Sequence, residues 1–169
     1  MAVQTATTLR MAIAHLGMIA DTSLRQVDGA TAAADQVLVG RPVIVTRNDN
    51  HTKVTRHMAS GDLTALSGKL IGVTMHSHWA NVQGFYAKGD AVNVIRVGRV
   101  WAITNMNAAP VAGTVAQVAI VDGSPVFTNT GGTAIPGWQF SGEYFVDPQG
   151  NKIAEVELTI PQIAAASGA

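Results

Sequence analysis

The chain has 169 residues, with 11 basic and 11 acidic side chains, a formal net charge of zero and no cysteine. Neutrality removes the electrostatic footing for a nucleic-acid partner, and the missing thiols exclude disulfides, thiolate metal sites and cysteine nucleophiles. Charged residues make up 13% of the chain, about half of the ~25% usual for soluble domains, and mean hydropathy is +0.22, so part of the surface is expected to be covered by another molecule.

Residues 1–36 are rich in Ala and Thr and read as an N-terminal arm or linker ahead of a β domain spanning 37–169. Leu9, Ile13 and Leu16 fall at i, i+4 and i+7, which predicts a short helix, with Thr7 and Thr8 available to cap it. The apolar run MAIAHLGMIA at 11–20 is about half a membrane span and is interrupted by His15, so no membrane segment is expected. The following IADTSL is a poor cleavage site, which favours a cytosolic start over a signal peptide. Leu9, Met11, Ile13, Leu16, Met18 and Ile19 are the side chains with which this arm is expected to dock on a neighbour, the methionines lending adaptability. VDGATAAADQ then reads as a turn and an irregular link.

From residue 37 the pattern becomes β. QVLVG and RPVIVTR are rich in β-branched residues, with Pro42 marking a strand start or edge. RNDNHT is a polar turn, KVTRHM a half-buried strand, and ASGDLTALSGK a loop with one helical turn. LIGVTMHSHW reads as another strand, Gly72 signalling a bulge or a close approach. In AKGDAVNVIRVGRVWAITN a KGD turn precedes two short strands joined at VGR. A loop, a strand through Val115, Val118 and Ile120, a DG turn and a short PVFT strand follow, and IAEVELTIP closes the domain by alternating Ile153, Val156, Leu158 and Ile160 against Glu155, Glu157 and Thr159. Turns recur about every 8 to 12 residues, the spacing of a sandwich or barrel, and no strand–long helix–strand unit appears. An all-β fold is expected.

The candidate chemistry is thin. His76 and His78 share one face of a strand, but a metal site needs three or four ligands and nothing in the spacing ties in His51 or His57, so no metal is expected. SGKL at 67–70 has the Gly-Lys of a phosphate loop without its frame, since Leu63 and Leu70 stand where Gly and Ser or Thr are required. Asp49, Asp90, Asp122 and Asp147 sit mostly beside Gly, Pro or Asn, as turn caps do. Glu155 and Glu157 lie two apart on a strand and are expected to form a solvated face rather than a catalytic pair. No Ser-His-Asp constellation is present in the spacing, and no cofactor is expected.

SPVFTNTGGTAIPGWQF, residues 124–140, contains no ionisable side chain. TNTGG suits a tight connection between strands, Phe127, Trp138 and Phe140 bracket it as apolar anchors, and Pro136-Gly137 is expected to turn the chain. An inward aromatic set would fill a barrel end. The charge-free stretch would lie against another subunit, with Trp138 assigned to that contact.

The order of these pieces resembles the structural cement, or capsid decoration, proteins of tailed bacteriophages. The carriers are an IAD opening, GRPV, GDAVNV with GRVW, GSPVFTN before a glycine loop, IPGWQF and a final AEVEL, within roughly residues 17–161. The resemblance implies a jelly-roll-like sandwich or barrel and no catalytic residues. It also implies a virion location on the capsid exterior, with the major capsid protein and further copies of the chain (a dimer or trimer) as partners. Two other readings compete. One is a small-molecule or carbohydrate-binding domain stacking its ligand on Trp79, Trp101 and Trp138; the other is a cupin-like metalloenzyme built on His76 and His78.

Overall fold

The computed structural model describes residues 14–20, 25–47, 50, 52–66, 69–76, 84–147 and 149–159. Its strands are β1 (Gln26–Ala33), β2 (Val37–Leu38), β3 (Pro42–Arg47), β4 (Lys53–His57), β5 (Leu70–Thr74), β6 (Phe85–Tyr86), β7 (Ala91–Ile103), β8 (Val115–Val121), β9 (Ser124–Thr128), β10 (Thr133–Val146) and β11 (Lys152–Leu158). A single helical turn, α1 (Ser60–Leu63), sits in the loop where one turn is expected. The all-β expectation holds.

The strand order is β1-β4-β3-β5-β7-β11-β10-β8-β9, and β1 also pairs with β7. The first five strands therefore close into a small barrel; β1 and β4 run parallel, while the other pairs in it are antiparallel. From β7 the order continues through β11, β10, β8 and β9 as a second sheet, whose last strand returns to the end of β7 through a bridge between Thr104 and Phe127, while β2 and β6 pair as a separate two-stranded sheet.

β7 serves both sheets. Its first half pairs with β1 from Ala91 to Val97 and with β5 at Val94 and Ile95, and its second half pairs with β11 from Gly98 to Ile103. Gly98 stands at the changeover with φ +120, and a Cβ there would come within 3.2 Å of the Arg25 Cβ. The two short strands expected around VGR are thus one 13-residue strand. A glycine in a strand marked a change of sheet, not a hairpin.

Three apolar clusters follow from this layering. Val43, Val45, Val92 and Val94 point into the barrel with Ala33, Val37, Val39 and Tyr86. Ile44 and Ile95, on the opposite faces of the same strands, join Ile71, Val73, Val100, Ala102, Ala154, Val156 and Leu158 between the two layers. Trp101 and Ile153 cover the far face of the second sheet. β3 lies between two cores, which is why PVIV is apolar throughout. β11 is also buried on both faces from Ile153 to Val156, so the solvated face expected for Glu155 is corrected: that carboxylate is buried. At Gly72 β5 passes so close to β7 that a Cβ would lie 2.5 Å from the Ile95 carbonyl oxygen, the close approach expected there.

Two further expectations change. The irregular link expected before residue 36 contains β1, so the barrel begins at Gln26. Thr31 donates to the Val92 carbonyl and accepts from Thr55, and Gly29 faces Asn93; only small side chains fit between two neighbouring strands at this narrow closure. Pro136-Gly137 is a bulge inside β10 and not a turn. Between Ala134↔Gln117 and Gln139↔Val115 β10 advances five residues while β8 advances two, with Gly137 at φ +85. The surplus residues let Ile135 and Trp138 both face inward, which an unbroken strand forbids at an odd spacing. The inward aromatic set is as expected. Phe127 meets Trp138 at 5.9 Å between ring centroids and Phe140 at 6.5 Å in edge-to-face geometry, all three fully buried.

Candidate interaction surface

The N-terminal segment is built onto the chain's own second sheet. Gly17 N–H donates to the Trp101 carbonyl at 2.7 Å, Trp101 N–H to Met18 at 2.9 Å, and Ala20 N–H to Arg99 at 2.9 Å, while Ile19 bridges Val100. Gly17 has φ +72, and a Cβ there would sit 2.2 Å from Val39 Cγ1 and 2.7 Å from the His76 nitrogen that donates to its carbonyl. No other residue fits this knot. The described residues 14–20 carry a turn and a bridge, and most of the helix expected over Leu9, Ile13 and Leu16 lies outside the described residues. Leu16 and Met18 pack on the Trp101 cluster and Ile19 on the main core, each half-buried; Leu9, Met11 and Ile13 lie outside the described residues. Trp138 offers nothing to a partner: it is 0% exposed and its Nε1 donates to the Thr159 carbonyl at 2.9 Å. Its assignment to a subunit contact is corrected. The size that suggested an exposed anchor is what the core required.

The docked segment helps line a groove of about 800 Å³, to which Leu16, Met18, Arg41, His76, Asp147 and Asn151 all contribute. Arg41 is half-buried, which lowers its pKa from the usual value, and its guanidinium donates to the Pro125 carbonyl at 3.1 Å. Asp147 is occupied locally, accepting from Gln149 N–H, Asn151 N–H and the Asn151 side chain, the turn-capping role expected of it. Asp90 likewise accepts from Ala87 N–H, and Asp122, at φ +49, starts the two-residue turn between β8 and β9.

Several other titratable groups among the described residues are engaged in the fold. His57 Nε2 accepts the Leu38 N–H at 2.9 Å, and burial together with the charge of Arg41 keeps its pKa below the usual range. Arg99 reaches both Glu157 (3.3 Å) and Glu155 (3.7 Å). Asp62 is the charged centre that the sequence pattern did not expose. Arg56 grips it with two hydrogen bonds of 2.6 and 2.8 Å, Ala59 N–H and Lys69 add two more, and the guanidinium holds its carboxyl well below the usual carboxylate range. Among the described residues no three His, Asp or Glu side chains converge on a metal-sized site; His51 and His78 lie outside them. Trp101 is 6% exposed, so neither it nor Trp138 provides a stacking platform, and Trp79 lies outside the described residues. No helix among the described residues is long and apolar enough to cross a membrane.

What remains exposed and unusual is a strip without charge. Residues 100–142 contain one ionisable side chain, Asp122. Val111 is 77% and Val115 47% exposed, beside exposed Ala108, Ala109 and Ala112. Residues 111–115 run along β10: Gly113 N–H donates to the Phe140 carbonyl, Phe140 N–H donates to Thr114, and Val115 pairs with Gln139. Exposed Ala134 and Pro136 extend the same sheet surface. A count of charges over a long window finds this strip; a search for motifs does not.

No curated protein matches the chain. A family model does, over residues 3–159, described as structural cement protein (E217 gp24/Pam3 gp6). The match takes in both sheets, the knot at Gly17 and the charge-free strip, and the chain belongs to this family of phage structural cement proteins.

Proposed function

We propose that the protein is a cement subunit that binds the outside of an assembled phage head as a small homo-oligomer, a dimer or trimer, and ties neighbouring major capsid protein subunits together. The observation that carries this reading is the family match over nearly the whole chain. The charge-poor composition supports it, because a subunit that spends its life covered needs little solvating charge. Leu16, Met18 and Ile19, half-exposed along the groove wall, are the described part of the capsid contact in this reading, with Arg41 beside them to meet a carboxylate. A cement subunit acts by mass action: it binds the assembled shell better than separated subunits and stabilises the shell by that difference.

The test is depletion and add-back. Particles lacking the protein assemble but rupture at lower temperature, and purified protein restores their resistance. A neutral binder gains little from long-range attraction, so restoration at about 0.5 M salt nearly equals that at about 0.1 M. Depleted particles as heat-resistant as complete ones would refute the reading.

A further inference from the structure

The charge-free strip restricts what can cover it. A heterologous partner is selected by complementary charge, which raises on-rates and rejects wrong partners. A surface that packs on a copy of itself across a two-fold axis has no such option near the axis, where every residue meets its own kind and any charge meets a like charge. Removing charge from the patch is the available solution. Residues 100–142 are built that way: their one ionisable side chain, Asp122, sits at the β8–β9 turn, seven residues or roughly 23 Å along the strand from Val115. The sheet register brings one charged pair towards the strip: Glu157, bound to Arg99, stands opposite Gln139, which in turn stands opposite Val115, so the pair lies at the edge of the strip roughly 10 Å from Val115. The strip also has the form of an interface core. Val111 and Val115 stand out on a sheet surface of Ala, Pro and Gln, with Glu143 and Asp122 at its borders.

We propose that the strip centred on Val111 and Val115 is the face on which a second copy of this chain packs, across a two-fold axis. The inference rests on the homo-oligomer part of the reading above, assigns it a surface, and leaves the groove beside Gly17 for the capsid.

The experiment needs no capsid. Sedimentation velocity at about 50 µM reports a dimer for the unaltered chain, whose concentration dependence gives the association constant. Val111→Asp and Val115→Asp each weaken association at least tenfold, and so does Val111→Lys, because each pairs a charge with itself. An equimolar mixture of Val111→Asp and Val111→Lys associates again, since opposite charges now meet across the axis. Thermal melts unchanged within a few degrees show that these exposed substitutions leave the fold intact.

Four outcomes overturn the proposal: a monomeric unaltered chain; an association that ignores all three substitutions; two disrupted variants that fail to rescue each other; or variants that remain dimeric but no longer bind depleted particles, which would give the face to the capsid. An unaltered chain that dimerises through Val111 yet binds no particle supports this proposal while refuting the cement reading.

Discussion

The barrel and the second sheet share β7 but are stabilised by different means. The barrel interior is narrow and filled by valines, alanine and one tyrosine, and its surroundings carry ion pairs: Asp62 with Arg56 and Lys69, and Asp28 with Lys53. The second sheet packs Trp138, Phe127 and Phe140 into a wide interlayer core and has almost no charge along residues 100–142. Small barrels hold only small side chains, so apolar burial per residue is limited and polar bracing of the connections adds what is missing. The second sheet relies chiefly on its aromatic core and carries one ionic network of its own, Arg99 with Glu157 and Glu155 on β7 and β11.

The contrast can be broken most strongly at the aromatic core. Trp138→Ala removes the largest fully buried side chain and its bond to Thr159, and is expected to cost about 3–5 kcal/mol, read as a fall in urea midpoint. A loss under ~1 kcal/mol would show that the aromatic set does not carry the second sheet. In the barrel the corresponding device is electrostatic. Asp62→Asn is expected to cost about 1–3 kcal/mol. Because the folded pKa of Asp62 is lowered below its unfolded value near 3.9, its contribution is present above about pH 4 and is lost as pH falls further. The melting-temperature gap between the unaltered chain and Asp62→Asn therefore narrows from pH 5 towards pH 2, and a gap independent of pH would mean that charge is not what Asp62 supplies. The smallest effect is at His57. Its folded pKa is also lowered, so stability is complete above the unfolded pKa near 6.5 and declines below it as the unfolded chain takes up the proton. His57→Phe is expected to flatten the stability slope between about pH 6.5 and 5, measured by denaturant titration at each pH; an unchanged slope would place the titrating group elsewhere.

The strands that were legible in the sequence are those whose side chains alternate or are β-branched: β2, β3, β4, β5, β8, β9 and β11. β1 escaped because the closure of the barrel demands Ala, Thr and Gly, residues that read as a linker. β10 escaped because Pro136, Gly137 and Gly142 look like turn residues, whereas the strand uses them as bulges to aim Ile135 and Trp138 at one core. At Gly98 and Gly17 the sequence marked a special backbone position without saying which. One changes sheets and the other locks the N-terminal segment to its own domain, so neither is visible until the partners 39, 76 and 101 are in place. The absence of charge from residues 124–140 was legible, but not which of its residues face out: Trp138 turned in, and Val111, upstream of that stretch and unremarkable by type, stands clear.

One strand running through both layers also sets how the molecule bears tension. Were the barrel held by one body and the second sheet by another, a pull separating them along the β7 axis would be carried down that one covalent strand as well as through the interlayer core. It would load the hydrogen bonds to β5 and β1 on one half, and to β11 on the other, in shear and simultaneously. Bonds lying perpendicular to the strands yield together in that direction, whereas a pull at right angles peels them singly. The fold is accordingly a tie with a stiff axis and a weak one, and the orientation of β7 relative to an imposed strain decides which of the two is met.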